Sequence, residues 1–181
     1  LARLVPEKGL HLLVDAFIGL VRSGEFPDLR LVAGGYFSRA YETYINGIRR
    51  TIKNNGLEDR IKLLGTLDRA AKLDFFRQID VFSVPATYRE PKGISILEAL
   101  AAGVPVVQPD HGAYPEWVNA TQGGLLHRPE DSIDLAQKLG FLLRNVDLRK
   151  RMGQRAQKAA WEKFSSERMA AATLEVFRRL C

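Results

Sequence analysis

Six short apolar runs alternate along this chain with segments whose apolar residues recur at helical spacing, and this alternation constrains the fold more than any other feature. The predicted strands cover residues 1–5, 29–35, 61–65, 80–85, 104–109 and 123–127. The predicted helices between them cover residues 10–22, 39–54, 68–78 and 94–103. Repeated alternation of this kind predicts a parallel sheet with helices on both faces and right-handed crossovers. The predicted fold class is therefore α/β, as a doubly wound, Rossmann-like domain.

Strand signals end after residue 127, and three extra C-terminal helices are predicted over residues 131–145, 147–163 and 166–180. The last helix carries an apolar stripe on one face. Its members are Met169, Ala172, Thr173, Val176, Phe177 and Leu180. Two alternatives remain open for this stripe, which are packing on the same domain and contact with a second domain.

Composition excludes several other classes of protein. Apolar residues make up 46% and charged residues 27% of the 181 residues, values typical of a globular domain rather than a disordered or collagen-like chain. No apolar run approaches the roughly 18 residues that a membrane span needs. The one cysteine, Cys181, excludes an intramolecular disulfide framework. Because the chain opens at Leu1 inside a predicted strand, we interpret it as a piece of a longer protein.

The loops that follow the predicted strands carry the candidate functional residues, since parallel sheets bind ligands beyond the carboxyl ends of their strands. Gly93, Ile94 and Ser95 open a predicted helix and should offer free backbone N–H groups to an anion such as phosphate. Glu90 precedes this helix and Glu98 lies within it, where a carboxylate can accept hydrogen bonds from sugar hydroxyls. The alternative is that both acids cap helices or pair with nearby cations, either Arg89 or Lys92.

The first loop supplies two cations at the same edge of the predicted sheet. Arg3 ends the first strand and Lys8 precedes the first helix, so that together they can neutralise a diphosphate. The net charge of +6 also favours an anionic partner. The alternative is that both are ordinary surface residues. Since no Asp-x-Asp motif occurs, we expect the diphosphate to bind without a metal ion.

Most histidines and tryptophans of the chain are interpreted as surface or packing residues. His11 and His127 are interpreted as surface or packing residues, whereas His111 lies in a candidate ligand loop. Three isolated histidines do not have the spacing of a zinc site. Trp117 and Trp161 are interpreted as packing residues.

Four segments of the chain, taken together, resemble the group 1 retaining glycosyltransferases, family four of the GT-B type. The segments are RLVPEKGL at 3–10, YREPKGISILEALAAGVPVV at 88–107, HGAYPEWV at 111–118 and ATQGGLLHRPED at 120–131. They occur in the family's order and extend over nearly the whole chain. Two departures are Pro91-Lys92, where many members have an aromatic residue, and Gly112-Ala113, where members often have two glycines; both put the identity of the sugar in doubt.

The resemblance implies a role for each matching residue. Glu90 would contact the transferred sugar and act directly in transfer. Glu98 would bind the ribose hydroxyls, Leu67 would lie against the base and Lys72 would reach the nucleotide. The implied donor-binding residues are Arg3, Lys8, Leu67, Lys72, Gly93, Ile94, Ser95 and Glu98.

The same resemblance implies a whole enzyme larger than this chain. Residues 1–181 would form the GT-B C-terminal, donor-binding domain, and 165–181 would cross back to an N-terminal domain that binds the acceptor. The implied reaction transfers a hexosyl group from a nucleotide-diphosphate sugar, with UDP favoured over GDP, retention at the anomeric carbon and no metal or cofactor. The acceptor would be a saccharide or lipid-linked saccharide. The implied location is cytoplasmic, with peripheral association of the full protein at the cytoplasmic membrane face, and no nucleic-acid partner is expected.

Two other functions remain open at this point. The basic segment 147–163 is compatible with a non-catalytic nucleotide- or polyanion-binding module, although aromatic residues are not interleaved with its charges. Another GT-B enzyme, such as a sugar epimerase, would share the same nucleotide site.

Overall fold

Strands and helices alternate in the computed structural model, which describes residues 1–180; Cys181 lies outside the described residues. The first half contains α1 (Leu10–Arg22), β1 (Leu31–Gly34), α2 (Glu42–Asn54), β2 (Ile61–Leu64), α3 (Arg69–Gln78) and α4 (Ile94–Ala101). The second half contains β3 (Val106–Pro109), α5 (Tyr114–Thr121), β4 (Gly124–His127), α6 (Ser132–Arg144), α7 (Val146–Lys163) and α8 (Ser166–Leu180). The predicted α/β class, with extra helices at the C-terminal end, is confirmed.

The strands pair in parallel, as their helical connections require. Residue Leu31 of β1 lies opposite Ile61 of β2. In the second pair, Val106 of β3 lies opposite Gly124 of β4. Parallel pairing brings the carboxyl ends of both members of each pair to one edge, where the connecting loops collect.

Two predicted strands are not formed as regular strands. Within residues 1–5, the N–H of Ala2 donates to the carbonyl of Gly34, the last residue of β1, and the N–H of Leu4 donates to that of Tyr36, but no regular strand is formed. Within residues 80–85, Phe82 alone forms a bridge, to Val106 of β3. The N–H of Val84 instead donates to the buried side-chain carbonyl of Gln108 at 3.2 Å, so a side chain replaces the next backbone partner.

Helix α5 was not predicted, because its residues resemble a glycine- and proline-containing loop. Pro115 lies in its first turn, where the missing N–H costs no intrahelical hydrogen bond. Gln122, in the left-handed conformation at φ 52°, ends the helix. This short helix carries Tyr114 and Trp117 toward the loop that precedes α4.

Helix α1 joins two of the three hydrophobic clusters. Val14 and Phe17 pack with the isoleucines of α2. Ala16 and Leu20, on the adjoining face, pack with leucines of α6. The third cluster contains α4, α3 and the residues around β3, including the fully buried Leu100. Helix α4 is therefore anchored by its apolar face, which fixes the position of its N-terminal end.

Helix α8 buries none of its side chains within the described structure. Phe177 is 60% exposed and Leu180 is 79% exposed. No helix within residues 1–180 combines the length and apolarity that a membrane crossing requires.

Candidate functional site

The first loop lies directly on the loop that leads to α4. Gly9 has φ 71°, and a Cβ at this position would lie 1.9 Å from the carbonyl oxygen of Pro85. The N–H of Thr87 donates to the carbonyl of Glu7 at 3.0 Å. A glycine is therefore required for the two loops to approach this closely, and their approach brings Lys8 to Glu90.

Lys8, Tyr88 and Glu90 form one hydrogen-bonded cluster. The ammonium of Lys8 and the hydroxyl of Tyr88 both donate to Oε2 of Glu90. The Lys8 Nζ also lies 4.8 Å from the centre of the Tyr88 ring. The side chains of Lys8 and Glu90 are only 15% and 12% exposed, so this ion pair is largely shielded from solvent.

Hydrogen bonds within this cluster keep Glu90 and Lys8 charged. Partial burial by itself would raise the pKa of Glu90, but hydrogen bonds from Lys8 and Tyr88 outweigh it and lower that pKa to about 2. Burial would lower the pKa of Lys8, yet the bonds to Glu90 and Tyr88 give a net rise above its ordinary value of 10.5. Glu90 is consequently an ionised, weakly basic acceptor at neutral pH.

A second ion pair joins α3 to α4 beside this cluster. Lys72 Nζ lies 2.7 Å from Oε1 of Glu98, with both side chains 35% exposed. The predicted alternative was that both acids cap helices or pair with Arg89 or Lys92. The pairing is wrong, because the acids pair with Lys8 and Lys72 instead. Glu90 does cap the segment that opens α4, because its Oε1 accepts from the N–H groups of Lys92 and Gly93. Each acid thus pairs with a lysine named as a candidate, Lys8 from the residues of the first loop and Lys72 from the family resemblance.

The N-terminal end of α4 presents unpaired backbone donors. Gly93 has φ 64° and precedes the helix. Its N–H donates to Oε1 of Glu90 at 3.4 Å. The prediction of a free N–H at Gly93 is therefore wrong. Within residues 1–180 the N–H groups of Ile94 and Ser95 have no hydrogen-bond partner. These two amides, at the positive end of the helix dipole, remain available to an anion.

The loop between β3 and α5 contacts the backbone of Glu90. Gly112 has φ 62°, and a Cβ there would lie 2.6 Å from the Glu90 carbonyl oxygen. The N–H of Ala113 donates to the same carbonyl at 2.8 Å. His111 uses Nε2 to contact the carbonyl of Ala86 at 3.1 Å, so its ring contacts the protein backbone. The backbone of Glu90 is therefore fixed independently of its side chain.

Two other predicted site residues lie at the end of the first strand pair. Leu67 follows β2 and is half-buried, with Cδ1 3.3 Å from the point where a Cβ on Gly34 would stand. Arg3 is exposed, and its guanidinium makes no ion pair or hydrogen bond with the residues that the structure describes. The contacts in the structure do not join Arg3 to Lys8.

Sequence reasoning missed three aromatic residues at the site. Tyr88 bonds to Glu90, and Tyr114 and Trp117 pack against Gly93, at 3.2 and 3.4 Å from the position of an added Cβ. The only local signal for Tyr88 is its position two residues before Glu90. No local signal marks Tyr114 or Trp117, because their contacts depend on how α5 is placed.

The arrangement suits recognition of a polyhydroxylated anion. Two carboxylates can accept from hydroxyl groups, two lysines can neutralise phosphate, and the unpaired amides of Ile94 and Ser95 can donate to phosphate oxygens. Within residues 1–180 no cluster of three or more His, Cys, Asp or Glu side chains has a metal-binding arrangement.

Comparison with known proteins places these residues in a family context. The family model described as Glycosyl transferases group 1 matches residues 1–159. The phosphatidyl-myo-inositol mannosyltransferase of Mycobacterium leprae is 36% identical over 146 residues, which are 81% of this chain and 36% of that protein. The chain thus spans little more than a third of the length of this curated relative.

Solved structures share the fold closely. The structure of Anabaena Alr3699/HepE in complex with UDP has a TM-score of 0.88 and 26% identity, covering 98% of this chain and 48% of that one. The C-terminal domain of LpcC from Francisella tularensis has a TM-score of 0.82 and 23% identity, covering 92% of this chain and 84% of that one. The second likeness concerns the fold alone.

Proposed function

This chain belongs to the group 1 glycosyltransferase family, and on that premise we propose that it supplies the nucleotide-sugar donor site of a retaining hexosyltransferase. The observation that carries the proposal is that one ion pair contacts the residue before α4 and a second involves an acid of α4 itself. Lys8 pairs with Glu90, whose Oε1 faces the N–H of Gly93. Lys72 pairs with Glu98 of α4, the helix whose first two amides are unpaired. No packing requirement explains that arrangement, whereas binding of a sugar diphosphate does.

Phosphate recognition is assigned to the positive side of the site. The amides of Ile94 and Ser95 donate to the diphosphate, joined by Lys8 and by Arg3, whose exposed side chain is free to swing toward it. Gly93 permits the close approach of the ligand to the backbone. These groups already supply positive charge, and the proposal therefore requires no divalent metal ion and no cofactor.

Nucleoside recognition is assigned to the side that faces α3. Glu98 accepts from the two ribose hydroxyls, and Lys72, its partner in the ligand-free protein, moves toward the nucleotide phosphate or remains bridged to Glu98. Leu67 lies against the base. UDP is the preferred nucleotide in this proposal, supported by the UDP complex of the HepE structure at 26% identity.

Glu90 is assigned to the sugar. When the bond from the anomeric carbon to the β-phosphate oxygen breaks, negative charge grows on the nucleoside diphosphate and positive charge grows on the sugar ring. Lys8 and the α4 amides stabilise the first charge, and the ionised Glu90 stabilises the second and accepts from sugar hydroxyls.

The proton of the acceptor hydroxyl goes to the departing diphosphate and not to Glu90. A terminal phosphate group has a second pKa of about 6, so it is a stronger base than Glu90, whose pKa is about 2. The departing diphosphate therefore takes this proton while the acceptor oxygen bonds to the carbon from the same face. Transfer on one face retains the anomeric configuration.

The remaining parts of the enzyme are proposed from α8 and the family. Helix α8 crosses to an N-terminal domain and packs its exposed apolar face against it. That domain binds the acceptor, a saccharide or lipid-linked saccharide. We place the whole protein in the cytoplasm, peripherally at the membrane face. Nucleic acid is not a partner in this proposal.

A thermal-shift panel tests the donor assignment. The chain is heated with UDP, GDP, ADP or NAD, each with and without EDTA. A nucleotide at 100 times its Kd adds about 2.7 kcal/mol, which raises the melting temperature by about 5–10 °C. We expect that shift with UDP and no effect of EDTA. A shift with none of the four nucleotides, or one that EDTA abolishes, would contradict the proposal.

A further inference from the structure

One indole group lies behind the donor loop and bonds to its backbone. Trp117 Nε1, on α5, donates to the carbonyl oxygen of Lys92 at 2.8 Å. Lys92 lies in the loop immediately before α4, and its side chain is exposed. The indole therefore contacts the donor loop through the main chain, without itself standing where a donor would bind.

That carbonyl belongs to the peptide unit whose N–H is on Gly93. A peptide unit is planar and its C=O and N–H point in opposite directions, so one rotation sets both. Trp117 holds the carbonyl end, and Oε1 of Glu90 faces the N–H end at 3.4 Å. Losing the indole N–H would release this plane to rotate, which would break the contact of the Gly93 N–H with Glu90 and shift that carboxylate at the donor site.

The fit around Gly93 leaves the ring little freedom to move. Gly93 has φ 64°, and a Cβ there would lie 3.4 Å from Trp117 Nε1 and 3.2 Å from Tyr114 Cε1. The ring thus contacts the loop at the residue whose left-handed conformation begins α4. It fixes both the position and the orientation of that residue.

Trp117 is itself held by the end of another helix. Its ring centre lies 4.7 Å from that of Phe164 in an edge-to-face contact at 75°. Phe164 ends α7, two residues before α8 begins. A chain of contacts therefore runs from the donor loop through Trp117 to the junction from which α8 departs.

We propose that Trp117 is a positioning residue for the donor, acting by orienting the Lys92–Gly93 peptide at the start of α4. This inference rests on the proposed function, because the peptide that Trp117 holds acts on the donor through its N–H, which faces the sugar-binding Glu90. It differs from simple packing in one respect, namely that the indole N–H matters in addition to the bulk of the ring.

Trp161 provides a matched control in the same chain. Its Nε1 also donates to a backbone carbonyl, that of Ala101 at 3.1 Å, but Ala101 lies at the C-terminal end of α4, whereas Lys92 lies before its N-terminal end. The sequence contains these two tryptophans and no others. Trp117→Phe and Trp161→Phe therefore each remove one indole-to-carbonyl bond and leave a single fluorophore.

The experiment measures UDP affinity by calorimetry for wild type, Trp117→Phe, Trp161→Phe and Phe164→Leu. We expect Trp117→Phe to bind about fivefold more weakly, the effect of one neutral hydrogen bond, and Trp161→Phe to bind like wild type. Phe164→Leu keeps the indole N–H but loses its aromatic support, so its affinity should fall in the same direction. The Phe164→Leu variant therefore still tests the inference if Trp117→Phe folds poorly.

Fluorescence separates positioning from stability. In Trp161→Phe, emission from Trp117 should change as UDP saturates the site, whereas emission from Trp161 in Trp117→Phe should not. Equal UDP affinity of wild type and Trp117→Phe, or unchanged Trp117 emission, would overturn this inference alone. Absence of UDP binding by the wild-type chain would overturn the proposed function and the inference with it.

Discussion

Lys72 Nζ lies 2.7 Å from Oε1 of Glu98, so an ion pair joins α3 to α4 through the carboxylate assigned to ribose. A nucleoside must therefore share or replace an existing partner of Glu98. This pairing restrains the carboxylate through its contact with α3. Pre-arranged acceptors lose less freedom on binding than mobile ones do.

Replacing Glu98 by alanine should weaken UDP binding about 10- to 100-fold, because hydrogen bonds to a charged group are lost. Calorimetric titration measures the change. Asp74→Ala is the matched control, since Asp74 is an α3 carboxylate that pairs with Arg77 at 3.0 Å in an exposed position. Equal affinities of the Glu98→Ala and Asp74→Ala variants would refute the ribose assignment.

The Lys8–Glu90 pair should make the free energy of unfolding depend on pH. Because the pKa of Glu90 falls from 4.5 to about 2 on folding, its contribution is complete above pH 4.5 and is lost as the pH falls toward 2. The raised pKa of Lys8 works oppositely, so its contribution is present below pH 10.5 and is lost at more alkaline pH. Urea unfolding of wild type and Glu90→Gln across pH 2–5 should show a stability difference that narrows on acidification. A difference independent of pH would count against the pair.

Gly112→Ala should destabilise the chain by about 1–3 kcal/mol, since alanine disfavours φ 62° and its Cβ would lie 2.6 Å from the Glu90 carbonyl oxygen. It should also weaken UDP binding by displacing Glu90. Gly47→Ala is the control, because nothing lies within 4 Å of its added Cβ inside α2. That variant should be more stable by about 0.5–1 kcal/mol. Urea denaturation of both variants checks the opposite signs, and a stabilising Gly112→Ala would show that the loop does not support Glu90 as described.

The exposed face of α8 should contribute little to the stability of this chain. Phe177→Ala should change the free energy of unfolding by less than about 0.5 kcal/mol. Leu100→Ala, at a fully buried position in α4, should cost about 2–5 kcal/mol. A loss above about 1 kcal/mol for Phe177→Ala would mean that α8 packs on its own domain, the alternative left open by the sequence.

Helices were the part of the fold best predicted from sequence. The predicted segment 10–22 coincides with α1, and the segment 166–180 coincides with α8, because amphipathic spacing and helix ends are local signals. The strands at 1–5 and 80–85 were wrong in detail, since strand assignment depends on partners elsewhere in the chain. Glycine and proline are typical of loops, so the residues around α5 did not predict a helix.

The structure forms ion pairs between candidate site residues that the sequence did not predict to be partners. Lys8 and Glu90 lie 82 residues apart, and their contact depends on Gly9 allowing two loops to meet. Lys72 and Glu98 are brought together by the packing of α3 on α4, which no local pattern encodes. Trp117 was interpreted as a packing residue because its hydrogen bond to Lys92 depends on the placement of α5.

The most direct test of the donor site is an amide ¹H–¹⁵N correlation spectrum of the chain during titration with UDP. We expect the largest shifts on Ile94 and Ser95, whose N–H groups are unpaired at the start of α4. Smaller changes should reach Gly93 as the Glu90 cluster adjusts. Unchanged Ile94 and Ser95 signals, with shifts along the basic helix α7 instead, would contradict the donor site and favour a polyanion-binding surface.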